Sequence, residues 1–359
     1  MTVPRVLFDQ SSPYRSRRLV IEYDGTTTAA YLLDDRGEVV VPVWLANHRP
    51  APSDGEAARR WSGEAPAMPA EHTRHPGGRP PLDTTRLEVV WFEEGDGVAV
   101  LEEGALLAVV PGWADASAGE PGYARDALGD TPFARELAPM EKRFAERVER
   151  SRAFWRWRRH PDSWPQVQVS VLRHLEEHVI GPSGRYWEAG TEQPPRVAVT
   201  ERRAAPWRPY TVLSTVGMCA QRMPAVERYH DDVRPHARVE LALATTQPSE
   251  NALQVFLWLA KYPWRAVTWF GPGHRVKWYL DPSSFPLGSG YAGVLMLDDP
   301  SMLAGPEVPE TAGFEVAGDP VRWLWLVPVT QADRELAREA GAAELTRRLA
   351  EQGRGWVVT

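Results

Sequence analysis

The chain has 359 residues, 41 basic against 48 acidic side chains for a net charge of −7, and 43% hydrophobic residues. This is an ordinary globular balance, and the length suffices for two domains or one large one. A single Cys excludes an internal disulfide and any multi-Cys zinc or iron–sulfur site, and the negative balance argues against general nucleic-acid binding.

Only Lys142, Lys261 and Lys277 are Lys; the rest of the basic residues are Arg. With abundant Ala, Gly and Pro, this points to a high-GC, bacterial coding bias. The first residues lack the apolar core of a signal peptide, and no stretch of about 18 apolar residues is present to span a membrane. A cytoplasmic protein with no membrane contact is expected.

Residues 17–46 read as a β-meander, with turns at Asp24-Gly25 and Asp34–Gly37. The stretch 47–83, rich in Pro, Gly and charge, reads as a loose flap or disordered loop rather than a binding loop. Strands resume at Arg86–Phe92 and Val98–Trp113, so residues 1–115 form a small β-rich unit, followed by a connector at 116–138. A helix is predicted over 139–159, with Met140, Phe144, Val148 and Trp155 on one face. The window 141–160 holds eight basic and three acidic residues, so the charge is unevenly spread. A second helix over 165–180 stops at Gly181-Pro182.

Strands follow at Arg196–Thr200, Tyr210–Met218 and Arg238–Ala244, then a helix at Glu250–Tyr262. Shorter strands are predicted at Ala266–Phe270, Arg275–Tyr279 and Ala292–Leu297. Val321–Thr330 reads as a buried strand and Gln331–Gln352 as one long helix. The fold class is α+β, a mixed or antiparallel sheet with packed helices plus the β-rich N-terminal unit. The third part, 139–359, forms the main domain.

Among motifs, His174-Leu175-Glu176-Glu177-His178 matches H-x-x-E-H, in which two imidazoles one helical turn apart hold zinc and the Glu activates water. The other reading is two half-buried structural histidines. His230, Asp231, Asp232 and His236 could bind a cation or form a solvated turn. Cys219 ends an apolar segment and reads as a packed thiol rather than a nucleophile. Phosphate-loop, dinucleotide and nucleophile-elbow signatures are absent. The basic helix, carrying Phe154, Trp155 and Trp157, could be a nucleic-acid or membrane element but reads rather as a solvated face or a contact for an acidic partner. Of the 16 Trp, Trp323 and Trp325 share one face of a buried strand, whereas Trp264, Trp269 and Trp278 flank turns and are expected at a groove.

From HLEEHVIGP onward the chain resembles the suppressor of fused domain of bacteria. The matching segments are RPYTVLSTVGMCAQRMP (Gly217, Met218, Met223), ARVELALA (Glu240), LWLAKYPWRAVTWFGPGHRV (Pro263, Trp269, Gly271, Gly273, His274), GYAGVLMLDDP and LWLVPVTQADRELAREAGAAELTRRL, after the early helix ending at His178. Residues 1–115 have no counterpart in the short bacterial domains, although longer members carry an extension of this kind.

The resemblance implies a non-enzymatic protein-binding domain without cofactor or metal, in bacteria an immunity protein that neutralises a toxin domain, in animals a module gripping a transcription factor. A sheet edge or cleft suits an extended partner segment, with Trp264, Trp269, Gly271, Gly273, His274 and Trp278 as its candidate contacts. A negative protein can be steered toward a basic toxin. Two other classes remain open: a metal-dependent hydrolase using His174, Glu177 and His178, and a regulatory module whose N-terminal unit binds a small ligand. The partner's identity and the oligomeric state are not legible.

Overall fold

The computed structural model describes residues 4–52, 67–189 and 194–359. The chain divides into two compact units, Met1–His160 and Pro161–Thr359.

In the first unit, β1 (Arg5–Ser11), β2 (Arg18–Tyr23), β3 (Thr27–Leu33) and β4 (Val39–Asn47) form an antiparallel meander. Its turns are set by Asp24, whose carboxylate accepts from the backbone of Thr26 and Thr27, and by Asp34, which accepts from Arg36 and Glu38. β1 was not anticipated; its mostly exposed residues lack a clean alternation.

A second sheet holds β5 (Leu87–Trp91), β6 (Val98–Glu102), β7 (Ala105–Val110), β8 (Tyr123–Ala124) and β9 (Arg135–Glu136). It is covered on both faces. Val98, Val100 and Leu107 join Leu19, Ile21 and Trp44 of the meander in one cluster. Ala99, Leu101 and Val109 join Phe144 and Val148 of α1 (Glu141–Arg159) in another.

Three expectations change here. Segment 116–138 is no mere connector, because β8 and β9 belong to the sheet and Ala124, Phe133 and Ala134 lie in its core. Helix α1, read as the head of the second domain, packs on the first unit; part of its basic face serves that packing. Arg147 lies 4.2 Å over the Phe92 ring, and Arg152 pairs with Glu88. Finally, the flanks of the 47–83 loop are packed: Ala67, Met68 and Leu82 are buried, and the Asn47 amide bonds both backbone groups of Met68. Residues 53–66 lie outside the described residues.

The second unit begins with α2 (Ser163–His178). Its sheet contains β10 (Ser183–Glu188), β11 (Ala198–Arg202), β12 (Thr211–Val216), β13 (Arg238–Thr245), β14 (Arg275–Lys277), β15 (Gly293–Leu297), β16 (Glu315–Val316) and β17 (Asp319–Val329). The strand order is β10-β11-β12-β13-β17-β15-β14, with β16 paired to β17. Only β13 and β17 pair in parallel in this path, and all their residues but Pro320 and Arg322 are buried.

Trp323 donates to the Ser214 hydroxyl and Trp325 meets Trp356 edge to face, so the expected core pair is buried. Beyond β17, Thr245 forms a parallel bridge with Val358.

Helices α3 (Ser249–Leu259), α4 (Tyr262–Ala266), α5 (Gln331–Ala340) and α6 (Ala342–Glu351) complete the unit. The strand expected at 266–270 is absent, because α4 occupies its start and Val267 turns left-handed. The single C-terminal helix is two, separated at Gly341. Among the described residues, no helix is long and apolar enough to cross a membrane.

Candidate functional site

The motif positions Gly217, Met218, Met223, Glu240 and Pro263 are all buried within the second unit. β12 ends at Gly217, whose φ of +102° admits few side chains; a Cβ there would also lie 2.8 Å from the Arg196 carbonyl and 2.5 Å from the Trp164 ring. The following turn folds over Glu240, fully buried on β13. Its carboxylate accepts from the backbone of Gly217 and Cys219, at 2.8 and 3.1 Å, and from the Thr215 hydroxyl. Burial raises the Glu240 pKa despite these donors. Burial, with Glu240 beside it, pushes the Cys219 thiol well up, so it has no thiolate to offer as a nucleophile.

The next residues anchor the following segment. Met223 sulfur accepts from Phe270 N–H, and Trp264 Nε1 donates to the Arg222 carbonyl. Asp319 holds Arg222 and Arg238 from the other side; although burial opposes its charge, Arg222 and then Arg238 keep its carboxyl below the ordinary range. Pro263 and Trp264 are thus interior residues. Trp264, expected at a groove, is fully buried because its indole N–H is spent on that carbonyl.

The turn at Gly271–His274 has its own internal logic. The place where a Cβ of Gly271 would sit is taken by the Trp269 ring, 2.4 Å away, so the close approach expected there is the chain's own. His274 Nδ1 lies 3.2 Å from the Trp269 carbonyl and must carry the proton it donates. Half-buried Trp269 is ringed by His274, His230, His236 and Tyr229, with the two latter histidines stacked at 3.6 Å between centroids. His230 and His236 therefore form an aromatic collar, while Asp231 and Asp232 stay exposed in the turn between them, as expected of a solvated turn. Gly273 N–H donates to Met296, and the chain leaves the turn as β14.

Beside β14 opens a groove of about 750 Å³. Leu257 and Trp258 come from α3, Tyr262 and Arg265 from α4, and Trp278, Tyr279 and Leu280 follow β14. Trp278 is buried, its indole N–H donating to Ser284, so it forms the wall rather than a projecting anchor. Leu257, Tyr279 and Leu280 are exposed by 48, 65 and 51%. The sequence reading missed this trio and Tyr262. Helix α3 lies in a nearly unbroken apolar run, so nothing in its period singled out the outward residues.

The edge itself is open. β14 is last in the strand order, and its bonds run from Trp278 N–H to Ala292 and from Met296 N–H to His274. In an antiparallel ladder alternate residues face alternate sides, which turns the backbone groups of Arg275 and Lys277 outward. Among the described residues no strand pairs with them.

The H-x-x-E-H string folds otherwise than a zinc site. His174 Nε2 donates to the Thr311 carbonyl, and its ring stacks on His178 at 4.2 Å and on Trp323 at 4.9 Å. Near-parallel imidazoles send their in-plane nitrogens along near-parallel lines, so they do not converge on one ion. Among the described residues, no three His, Cys, Asp or Glu side chains are placed to hold a metal.

Residues 192–359 match the family model described as Suppressor of fused protein (SUFU). This part of the chain is similar to a suppressor of fused domain. Two solved structures align with 54% of the chain: a suppressor of fused homolog from Neisseria gonorrhoeae FA 1090, at 13% identity over 93% of its own chain, and a chain of the Sufu-Fu complex, at 14% over 88%. Each gives a TM-score of 0.37. No curated protein matches the chain. The matched region thus carries Glu240, the Trp269 collar, β14 and the groove, all within the second unit.

Proposed function

We propose that this chain is a protein-binding protein of the cytoplasm. Its suppressor of fused domain receives an extended segment of another protein along the free edge of β14, with an apolar side chain of that segment seated in the adjoining groove. The observation that carries this reading is the adjacency of an unpaired strand edge to exposed Leu257, Tyr279 and Leu280. Main-chain bonds to such an edge supply affinity, and the neighbouring pocket supplies selectivity. The partner is a toxin domain, neutralised by direct binding, with this chain as its immunity protein.

The test is affinity capture from the native cell followed by expression of the captured protein alone. One dominant partner is expected, lost from the Tyr279→Ala variant. Its expression is expected to arrest growth, and co-expression of this chain to restore it. A harmless partner overturns the immunity role and leaves binding in place. Recovery undiminished by Tyr279→Ala overturns the docking site.

A further inference from the structure

The open edge of β14 has a definite electrostatic character. Arg275 and Lys277, the two residues whose backbone groups face outward, are both exposed and project to the same side of the strand. A strand added there places its own side chains directly opposite them, where an unlike charge is favourable and a like charge is not.

Cations continue beyond the strand. Arg265 lines the groove, and half-buried Lys261 lies close enough that burial and then Arg265 lower its pKa. Arg275 donates to the Ala337 carbonyl at the end of α5, with Arg334 within electrostatic reach. No ion pair is formed by Lys261, Arg265 or Lys277 with the described residues. The acid nearest in the chain, Asp281, is engaged by the backbone N–H and hydroxyl of Ser283. In a chain of net charge −7, this edge is a local basic strip beside an apolar pocket.

We propose that the edge of β14 selects an extended protein segment bearing carboxylates at alternate positions, opposite Arg275 and Lys277, next to an aromatic or aliphatic residue that enters the groove. The proposal rests on the docking reading above and adds the chemistry of the partner.

Random peptides displayed on phage and selected against the full chain provide the probe, with far-UV circular dichroism confirming that each variant is folded. Enriched peptides are expected to carry Asp or Glu at i and i+2 beside an apolar residue. Such a peptide should bind Lys277→Glu about tenfold more weakly than the parent. The same peptide with Lys in place of its acids should prefer the variant.

If enriched peptides are lost on Tyr279→Ala but indifferent to Lys277→Glu and Arg265→Glu, docking stands and acidic selection is overturned. Peptides that bind Tyr279→Ala as well as the parent overturn docking at this edge, and selection at it with them. Failure to enrich any peptide overturns both.

Discussion

Trp258 and Trp278 meet edge to face, with ring centroids 5.0 Å apart and planes at 89°. The pair ties the outer side of α3 to the residue that follows β14, so the groove wall and the strand edge are one aromatic assembly. Tyr279 packs at its rim, its ring centroid 4.6 Å from that of Trp278 and tilted by 57°.

Wall and rim should separate on mutation. Trp278 is 4% exposed, and Trp278→Ala should destabilise the second unit by about 3–4 kcal/mol. Tyr279 is 65% exposed, and Tyr279→Ala should change stability by less than about 0.5 kcal/mol while abolishing partner capture. Urea unfolding followed by Trp fluorescence measures both. Equal destabilisation by the two variants would remove the distinction.

Glu240 gives a second prediction. Glu240→Ala strands the N–H groups of Gly217 and Cys219 in the core and should destabilise by about 3 kcal/mol. Glu240→Gln keeps an acceptor and should lose less. The raised pKa of Glu240 means that its contribution is fullest below the unfolded value of 4.5 and declines as pH rises through the folded value. The advantage of the parent over Glu240→Gln should therefore shrink as pH is raised from about 4.5 toward neutrality. Parallel pH dependences for the two proteins would contradict this.

How much of this was legible beforehand depended on whether a residue's partners lie near it in sequence. The meander, α1, α2 and the buried face of β17 follow from local periodicity, and Trp323 and Trp325 are where alternation placed them. Trp264 was misjudged because its decisive bond is to Arg222, in a segment no period connects to it. The division into units was read from composition, yet α1 joins the first because Phe144 and Val148 find their cluster on β5–β7. At the site, Trp269, Gly271 and His274 were legible as a turn, but their mutual packing was not. Tyr279 and Leu280 gave no signal, since exposure is a property of the folded chain.

Acid should loosen the collar around Trp269. Burial first, then neighbouring positive groups, lowers the pKa of both His236 and His274, and burial does the same for His174. A lowered histidine pKa contributes stability that is present above the unfolded value of 6.5 and lost as pH falls through the folded value. Unfolding midpoints should fall below pH 6.5, and His274→Phe should reduce the slope. A midpoint flat down to pH 5 would contradict the assignment.

Zinc offers a direct test of the stacked histidines. Because His174 and His178 lie face to face, adding stoichiometric zinc should leave the melting temperature unchanged in the parent and in His178→Ala alike. A zinc-dependent rise seen in the parent and absent from the variant would show that the rings turn to share a metal.

The parallel bridge from Thr245 to Val358, reinforced by the Thr245 hydroxyl on the Val358 carbonyl, spans a sequence separation of 113 residues. Together with the parallel pairing of β13 to β17, it gives the innermost strand of the sheet partners that come from far downstream. Long loops must close before these contacts reward them. The second unit should therefore fold slowly and as one cooperative event, with β13 a sticky, half-satisfied strand until the last turns of the chain arrive, and the window for aggregation or chaperone capture should be set by that wait.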